Sequence, residues 1–151
     1  MKLLFLLHLL FVGTVISAQN KGSLDAKNPY IDCLLSFIDT LIGYDVYKSG
    51  DTVFVYEKEY LSNLPILHSG VYIKVIDSKL LYQKTKKRKP VGVVDVQALR
   101  FDNEVATINI VDFGVERRKN HYSRINSGFV RYKVFFDCNT RQYTYEVIAS
   151  N

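Results

Sequence analysis

The sequence predicts an α+β domain in which one N-terminal amphipathic helix packs on a curved antiparallel sheet of about six strands. Two observations lead to this fold class. A single segment, 28–43, repeats its apolar residues with the period of a helix, and most of the chain after it has the β-branched and aromatic runs of strands. Because the helix has one apolar side and the sheet needs a cover, the two are expected to share a core.

The first residues have the pattern of a secretory signal peptide. Lys2 precedes the apolar run LLFLLHLLFVGTVI, and the small residues Ser17 and Ala18 follow it. Cleavage after Ala18 would remove 1–18 and leave 19–151 as a single domain. A retained membrane anchor is the alternative, although the run is short for a span of about twenty residues. We therefore expect an exported protein, periplasmic or extracellular, with no transmembrane segment after cleavage.

The helix has a clear predicted start and stop. Asn28 can cap its first free N–H groups, Pro29 suits the first turn, and Gly43 suits a left-handed end. The apolar stripe between them consists of Ile31, Leu34, Leu35, Ile38, Leu41 and Ile42. This spacing places the stripe on one face of the helix.

About six strands are predicted after the helix from their alternation and their turn residues. They lie at 52–60, 70–76, 91–101, 104–116, 129–138 and 142–148. The spacing also allows a short second helix near 78–84, and 117–127 is expected to be a polar connection. In the fourth strand the apolar side changes after Ile110, which predicts a β-bulge near 110–112 that bends the sheet.

This order of elements resembles the cone-shaped NTF2-like and cystatin-like folds. The resemblance rests on layout alone, since the Gln-x-Val-x-Gly segment of cystatins is not found and 96–98 is no substitute for it. A bent sheet with one helix across it leaves room for an apolar pocket. Small-ligand binding therefore stays open.

Two cysteines, Cys33 and Cys138, follow the predicted cleavage site. In an oxidising compartment an isolated pair usually bonds, so we expect a disulfide that joins the first helix to the last hairpin. The alternative is two free buried thiols, which cysteine often supplies. We expect no metal and no cofactor, because the cysteines and the scattered histidines lack the spacing of metal ligands.

Candidates for catalysis are few. His68 and His121 lie in predicted loops close to serines, an arrangement that is common by chance. The runner-up catalytic residues are Asp95 and Asp112, which lie among apolar strand residues where burial can raise a carboxyl pKa to suit a general base. The alternative is that Asp95 faces solvent and that Asp112 marks the bulge.

Positive charge is concentrated in two segments of a chain whose formal net charge is +5. The candidate anion-binding residues are Lys84, Lys86, Lys87, Arg88, Lys89, Arg117, Arg118, Lys119 and Arg124. Such loops attract an anionic surface, an acidic protein or an acidic glycan, and the alternative is two solvated loops. Nucleic acid is a poor fit, because its readers interleave aromatic residues with the cations and an exported protein seldom meets it.

Two functional hypotheses follow. The first is a small exported binding or interaction module of unknown partner, with the cationic loops as its contact surface. The second, and less favoured, is an NTF2-like pocket protein or enzyme that uses a sheet carboxylate as a general base. A pocket of roughly a few hundred Å³ with a buried carboxyl group would favour the second hypothesis, and two cationic segments lying together would favour the first.

Overall fold

The computed structural model describes residues 28–86, 89–102, 104–119 and 121–150. Within them the chain is an α+β domain with two helices and one curled sheet of eight strands. In chain order the elements are α1 (Pro29–Gly43), β1 (Thr52–Tyr56), a 3₁₀ turn (Glu59–Leu61), β2 (Leu67–His68), β3 (Val71–Ile76), α2 (Ser78–Thr85), β4 (Val91–Val96), β5 (Arg100–Asp102), β6 (Val105–Arg118), β7 (His121–Asp137) and β8 (Gln142–Ser150). The predicted signal peptide lies outside the described residues, as do Lys87 and Arg88.

Helix α1 begins at its cap and is tied there to the turn that follows β1. The Asn28 side chain accepts a hydrogen bond from the Tyr30 backbone N–H at 3.0 Å and donates one to the Tyr60 carbonyl at 2.7 Å. The rings of Tyr30 and Tyr60 stack with their centroids 4.3 Å apart. At the other end the helix includes Gly43, and the left-handed conformation expected there falls on Asp45 instead, at φ 58°.

The predicted curved antiparallel sheet is confirmed in part, because the sheet is curled and mostly antiparallel but has eight strands instead of about six and includes two parallel pairs. Its order is β2-β3-β1-β4-β6-β7-β8, with β5 paired to one end of β6. Strand β1 runs parallel to both β3 and β4, and the other pairs are antiparallel. Parallel neighbours need a crossover of about a dozen residues or more, and 57–70 and the α2 segment supply the two crossovers. This pairing also departs from the antiparallel layout that the element order resembles.

The two helices cover opposite faces of the sheet. In β1, Val53 and Val55 belong to the core under α1, whereas Phe54 and Tyr56 pack with α2 on the other side. The α1 core consists of Cys33, Leu34, Phe37, Ile38, Val53, Val55, Leu61, Val71, Ile73, Val94, Val96, Ile108, Ile110, Val130, Tyr132 and Val134. The buried α2 core consists of Ile76, Leu81, Val93 and Val115.

The change of apolar side in β6 reflects these two cores. Ile110 lies under α1 and Val115 lies under α2, so the strand needs no extra residue to satisfy both. Strand β6 pairs with β4 without interruption. The register does shift between Asp112 and Phe113, but against β7, where the partners are Gly128 and Asn126 and the extra residue lies between them. A bulge therefore occurs close to the predicted place, and it belongs to the neighbouring strand.

The predicted polar connection over 117–127 is wrong. Most of these residues pair in the β6–β7 ladder, which extends to Arg118 opposite His121. Their side chains are polar because this end of the hairpin is exposed on at least one side, and backbone pairing does not require an apolar side chain. The result is one long hairpin whose base lies under α1 and whose closed end lies beside α2.

The predicted disulfide is wrong as well, because both cysteines are free thiols. Cys33 is completely buried in the α1 core, and burial, with Asp32 beside it, raises the pKa of its thiol to about 12. Cys138 is exposed and follows the last residue of β7, so it lies in the turn before β8 rather than on the inner face of the strand. Phe136, which has the same parity as Cys138 in the alternation of β7, is already 50% exposed, so this end of the hairpin extends beyond the α1 core.

Candidate functional site

The two cationic segments meet on the α2 face of the sheet. Arg117, near the end of β6, places its guanidinium carbon 4.2 Å from the ring centroid of Tyr82 on α2. This stacking joins residues from separate elements and brings the end of α2 against the closed end of the β6–β7 hairpin. We call this surface the cationic face. It consists of Lys84, Arg117, Lys119, His121 and Arg124 with the aromatic residues Phe54, Tyr56, Tyr82, Phe113 and Tyr122.

Aromatic rings, rather than carboxylates, hold the cations of this face in place. The Lys84 ammonium lies 5.2 Å from the Phe54 ring centroid. The Arg124 guanidinium carbon lies 5.2 Å from the Tyr56 centroid and 6.0 Å from that of Phe113. Contacts of this kind contribute about 0.5–1 kcal/mol at exposed sites. They orient a cation and leave its charge uncompensated.

A groove of about 310 Å³ opens beside the Arg117–Tyr82 stack. Lys119, His121 and Tyr122 complete its lining. Tyr82 is 46% exposed and Tyr122 is 39% exposed, so each offers ring surface to a bound group. The groove therefore combines two aromatic rings with two permanent positive charges and one imidazole.

Acidic side chains compensate little of this charge within the part of the chain that the structure describes. Arg118 pairs with Glu116 at 3.4 Å, so its charge is partly neutralised. Arg117 and Arg124 form no ion pair with a described carboxylate. Burial raises the pKa of the Tyr56 phenol, and the positive charge of the nearby Arg124 guanidinium opposes that rise.

The remaining predicted cations lie around this face or outside the described chain. Lys86 and Lys89 are exposed after the end of α2. Lys87 and Arg88 are not among the described residues. The sequence reasoning thus found the charged members of the face but missed Phe54, Tyr56 and Phe113. The signal for Phe54 and Tyr56 was present in the strict alternation of β1, which places these two aromatic residues on the side opposite its valines.

The two candidate carboxylates lie on opposite faces of the sheet. Asp95 is on the α2 side of β4 and forms an ion pair with the Lys58 ammonium at 3.0 Å. Asp112 is on the α1 side of β6, is only 9% exposed, and has one carboxyl oxygen without a hydrogen-bond partner among the described residues. Burial raises the pKa of Asp112, and the Phe113 backbone N–H partly opposes this. The two residues therefore do not form a carboxylate pair.

The histidine nearest to a serine and a carboxylate does not form a catalytic triad. His68 and Ser69 both hydrogen-bond the same oxygen of Asp39, at 2.9 and 2.7 Å. A triad instead requires the histidine to lie between the nucleophile and the acid. The cluster fastens β2 to α1. Burial raises the pKa of Asp39, but the Ser69 and His68 hydrogen bonds outweigh it and leave that pKa below its ordinary value.

The described residues contain no group of three potential ligands that could hold a metal ion. Among the helices of these same residues, none is long and apolar enough to cross a membrane. Comparisons of the chain with protein-family models, with curated proteins and with solved structures found no match. The functional argument therefore depends on the chemistry of the side chains themselves.

Proposed function

We propose that this chain is a binding module that recognises an acidic glycan through the cationic face. The observation that carries the proposal is the Arg117–Tyr82 stack, at 4.2 Å, because it adds an aromatic ring from α2 to the cations of the β6–β7 hairpin and so forms one groove from two segments far apart in the sequence. The apolar run at 1–18, whose pattern predicts export, supports a partner in the cell envelope or outside the cell.

Charge supports an anionic partner. Arg117 and Lys119 line the groove and Arg124 lies nearby, in a chain of net charge +5. Planar guanidinium groups bind carboxylate, sulfate and phosphate groups with two parallel hydrogen bonds. The stacking on aromatic rings pre-orients these groups, so less side-chain entropy is lost when an anion binds.

The shape of the groove favours a small, discrete ligand rather than a flat partner surface. A groove of about 310 Å³ lies near the lower limit of small-molecule sites and is large enough for one sugar residue with its acidic substituent. The exposed rings of Tyr82 and Tyr122 present apolar surface to a sugar ring while their hydroxyl groups remain near water.

A general-base role for a sheet carboxylate receives less support. The Asp95 Oδ1 atom already has a cationic partner, the Lys58 ammonium at 3.0 Å. Asp112 meets the criterion stated for an enzyme, because it is buried and lines a cavity of about 620 Å³. The described lining of that cavity, however, includes no histidine or lysine to share a proton transfer. Binding is therefore the better-supported class of activity.

The test is a titration of the purified chain with a sulfated glycosaminoglycan oligosaccharide at low and high salt. We expect saturable binding that weakens strongly as salt increases, because exposed charges are screened. Arg117→Gln should weaken binding about tenfold, the effect of losing one charge-assisted hydrogen-bonded contact. Tyr82→Phe keeps the stacked ring and should bind nearly as the wild type does, whereas Tyr82→Ala should weaken binding as Arg117→Gln does.

Arg141→Gln is the matched control, since Arg141 lies in the turn at the far end of β7 and its loss changes net charge by the same amount. An equal loss of affinity in Arg141→Gln would show that net charge alone drives binding, and the assignment to the groove would fail. Binding to vesicles of anionic phospholipid in preference to the oligosaccharide would contradict the glycan and identify a membrane surface instead.

A further inference from the structure

A second cavity lies on the other side of the sheet, between the end of α1 and the bulge in β7. Its volume is about 620 Å³. The described residues that line it are Phe37, Thr40, Leu41, Tyr44, Val46, Asp112, Ser127, Gly128, Phe129, Val130 and Ser150. Most are apolar or aromatic, and the volume is in the range of cavities that hold small organic ligands.

Asp112 is the only charged side chain among the described lining residues, which also include the neutral polar residues Thr40, Ser127 and Ser150. It is nine-tenths buried, and its Oδ1 atom has no hydrogen-bond partner among the described residues. Leaving a carboxyl oxygen buried and unpaired costs free energy, which neighbouring groups or a ligand normally offset. The β7 bulge lies beside Asp112, because the register of β6 against β7 shifts between Asp112 and Phe113, where β6 borders the cavity.

The electrostatics of the cavity favour a positively charged ligand. No lysine, arginine or histidine is among its described lining residues, although the protein as a whole is positively charged. The carboxyl end of α1 borders the cavity and adds partial negative charge from the helix dipole. Phe37, Tyr44 and Phe129 offer ring faces, which attract organic cations.

We infer that this cavity binds a small organic amine in its protonated form, with the ammonium group at Asp112 and the apolar part against Phe37 and Phe129. The ammonium would donate a hydrogen bond to the unpaired Oδ1 atom and neutralise the buried charge. The apolar part would displace water from the lining of Leu41 and Val130. This site is separate from the cationic face and does not depend on it.

Binding should depend on pH through Asp112. Burial raises the pKa of this carboxyl, and an ammonium beside it would favour the ionised form and lower the pKa again. The titratable groups that face it are Tyr44 in the cavity lining and Tyr47, whose pKa burial and Asp112 raise to about 12. Affinity for the amine should therefore fall as the pH drops through the raised pKa of Asp112, because protonation removes the charge of this carboxylate.

The probe is 2-phenylethylamine, compared with 2-phenylethanol, which has the same apolar part without the charge. Dissociation constants can be measured by ligand-observed NMR on the full chain at neutral pH. We expect the amine to bind about tenfold more tightly than the alcohol, the usual effect of a hydrogen bond between charged groups. In Asp112→Asn the preference for the amine should disappear.

Two further variants separate the site from the fold. Asp95→Asn removes the carboxylate on the opposite face and should leave the amine preference unchanged. Thr40→Trp keeps Asp112 but fills the cavity from an exposed position of α1, so it should abolish binding of both probes while circular dichroism stays that of the wild type. Equal binding of amine and alcohol, no saturable binding of the amine, or a preference that persists in Asp112→Asn would overturn the inference.

Discussion

The two faces of the sheet differ in how much apolar surface they bury and in what they leave exposed. The α1 face buries side chains from the helix and from five of the eight strands in one continuous core. The apolar core of the α2 face contains only four buried residues among those described, and around them half-exposed aromatic rings are covered by arginine and lysine side chains. A face that is only partly buried provides less stability but leaves rings and charges available to a partner. The comparison indicates that α1 fixes the fold and that α2 shapes a surface.

The two sheet carboxylates repeat this contrast. On the α2 face, Asp95 has an ion-pair partner in Lys58 at 3.0 Å. On the α1 face, Asp112 is more deeply buried and has an unpaired oxygen. The face that provides most of the stability therefore also contains the least favourable polar group, at the edge of a cavity. A buried group that reduces stability is a common sign of a binding site.

The largest difference between the faces should appear in core truncations. Leu34→Ala on α1 removes a completely buried side chain from the large core and should lower the free energy of unfolding by about 3 kcal/mol. Leu81→Ala on α2 affects the smaller core and should cost about 2 kcal/mol or less. Urea unfolding of both variants gives the comparison. Equal costs would contradict the division of roles between the two helices.

A smaller effect, of opposite sign on the two faces, is expected from neutralising the carboxylates. Because burial raises the folded-state pKa of Asp112, its penalty is absent below pH 3.8 and is complete once the pH exceeds that raised pKa. Asp112→Asn should therefore raise the free energy of unfolding by about 1 kcal/mol at pH 7 and change it little in acid.

Asp95→Asn serves as the partner measurement. It removes an ion pair whose lysine is 34% exposed, so it should lower stability at pH 7 by about 1 kcal/mol at most. Denaturant titrations at pH 7 and below pH 3.8 distinguish the two variants. Destabilisation by Asp112→Asn at neutral pH would show that this carboxylate makes a favourable contact in the folded protein.

The smallest perturbation is chemical labelling of the thiols. Cys138 is exposed and Cys33 is completely buried with its thiol pKa raised to about 12. A thiol reagent should therefore modify one cysteine of the native chain rapidly and the second only after unfolding. Two unreactive cysteines in the native and the unfolded chain would restore the disulfide, and two rapidly reacting ones would place Cys33 nearer the surface than the α1 core.

Local patterns predicted the elements better than their arrangement. The segment from Asn28 to Gly43 contains its own cap and apolar stripe, so its helix could be assigned from adjacent residues alone. The change of apolar side at Ile110 was also visible, but a bulge and a second covered face produce the same pattern. Only the packing of Val115 under α2 distinguishes them. The short helix before β4 indicated a crossover between parallel strands, because an antiparallel sheet needs no helical crossover.

The candidate sites were predictable to the same limited extent. Charge density identified Arg117 and Arg124 because like charges adjacent in sequence seldom lie in a core. Tyr82 stands two residues before Lys84, but the Phe54 ring that also holds the cationic face together comes from β1, and no local spacing connects it to that face. Asp112 was identified as a carboxyl group among apolar residues, but its burial follows from the position of α1.

The sequence by itself determined where the helices and most strands form, which side of each strand is apolar, and where the positive charge is concentrated. These properties depend on residues within a few positions of one another, so the chain encodes them locally. The tertiary structure alone decided that β1 lies between two parallel neighbours, that Cys33 and Cys138 remain apart, and that the charged segments meet beside Tyr82. Each of those outcomes depends on which distant segments pack together, and that choice reflects the burial of the whole chain.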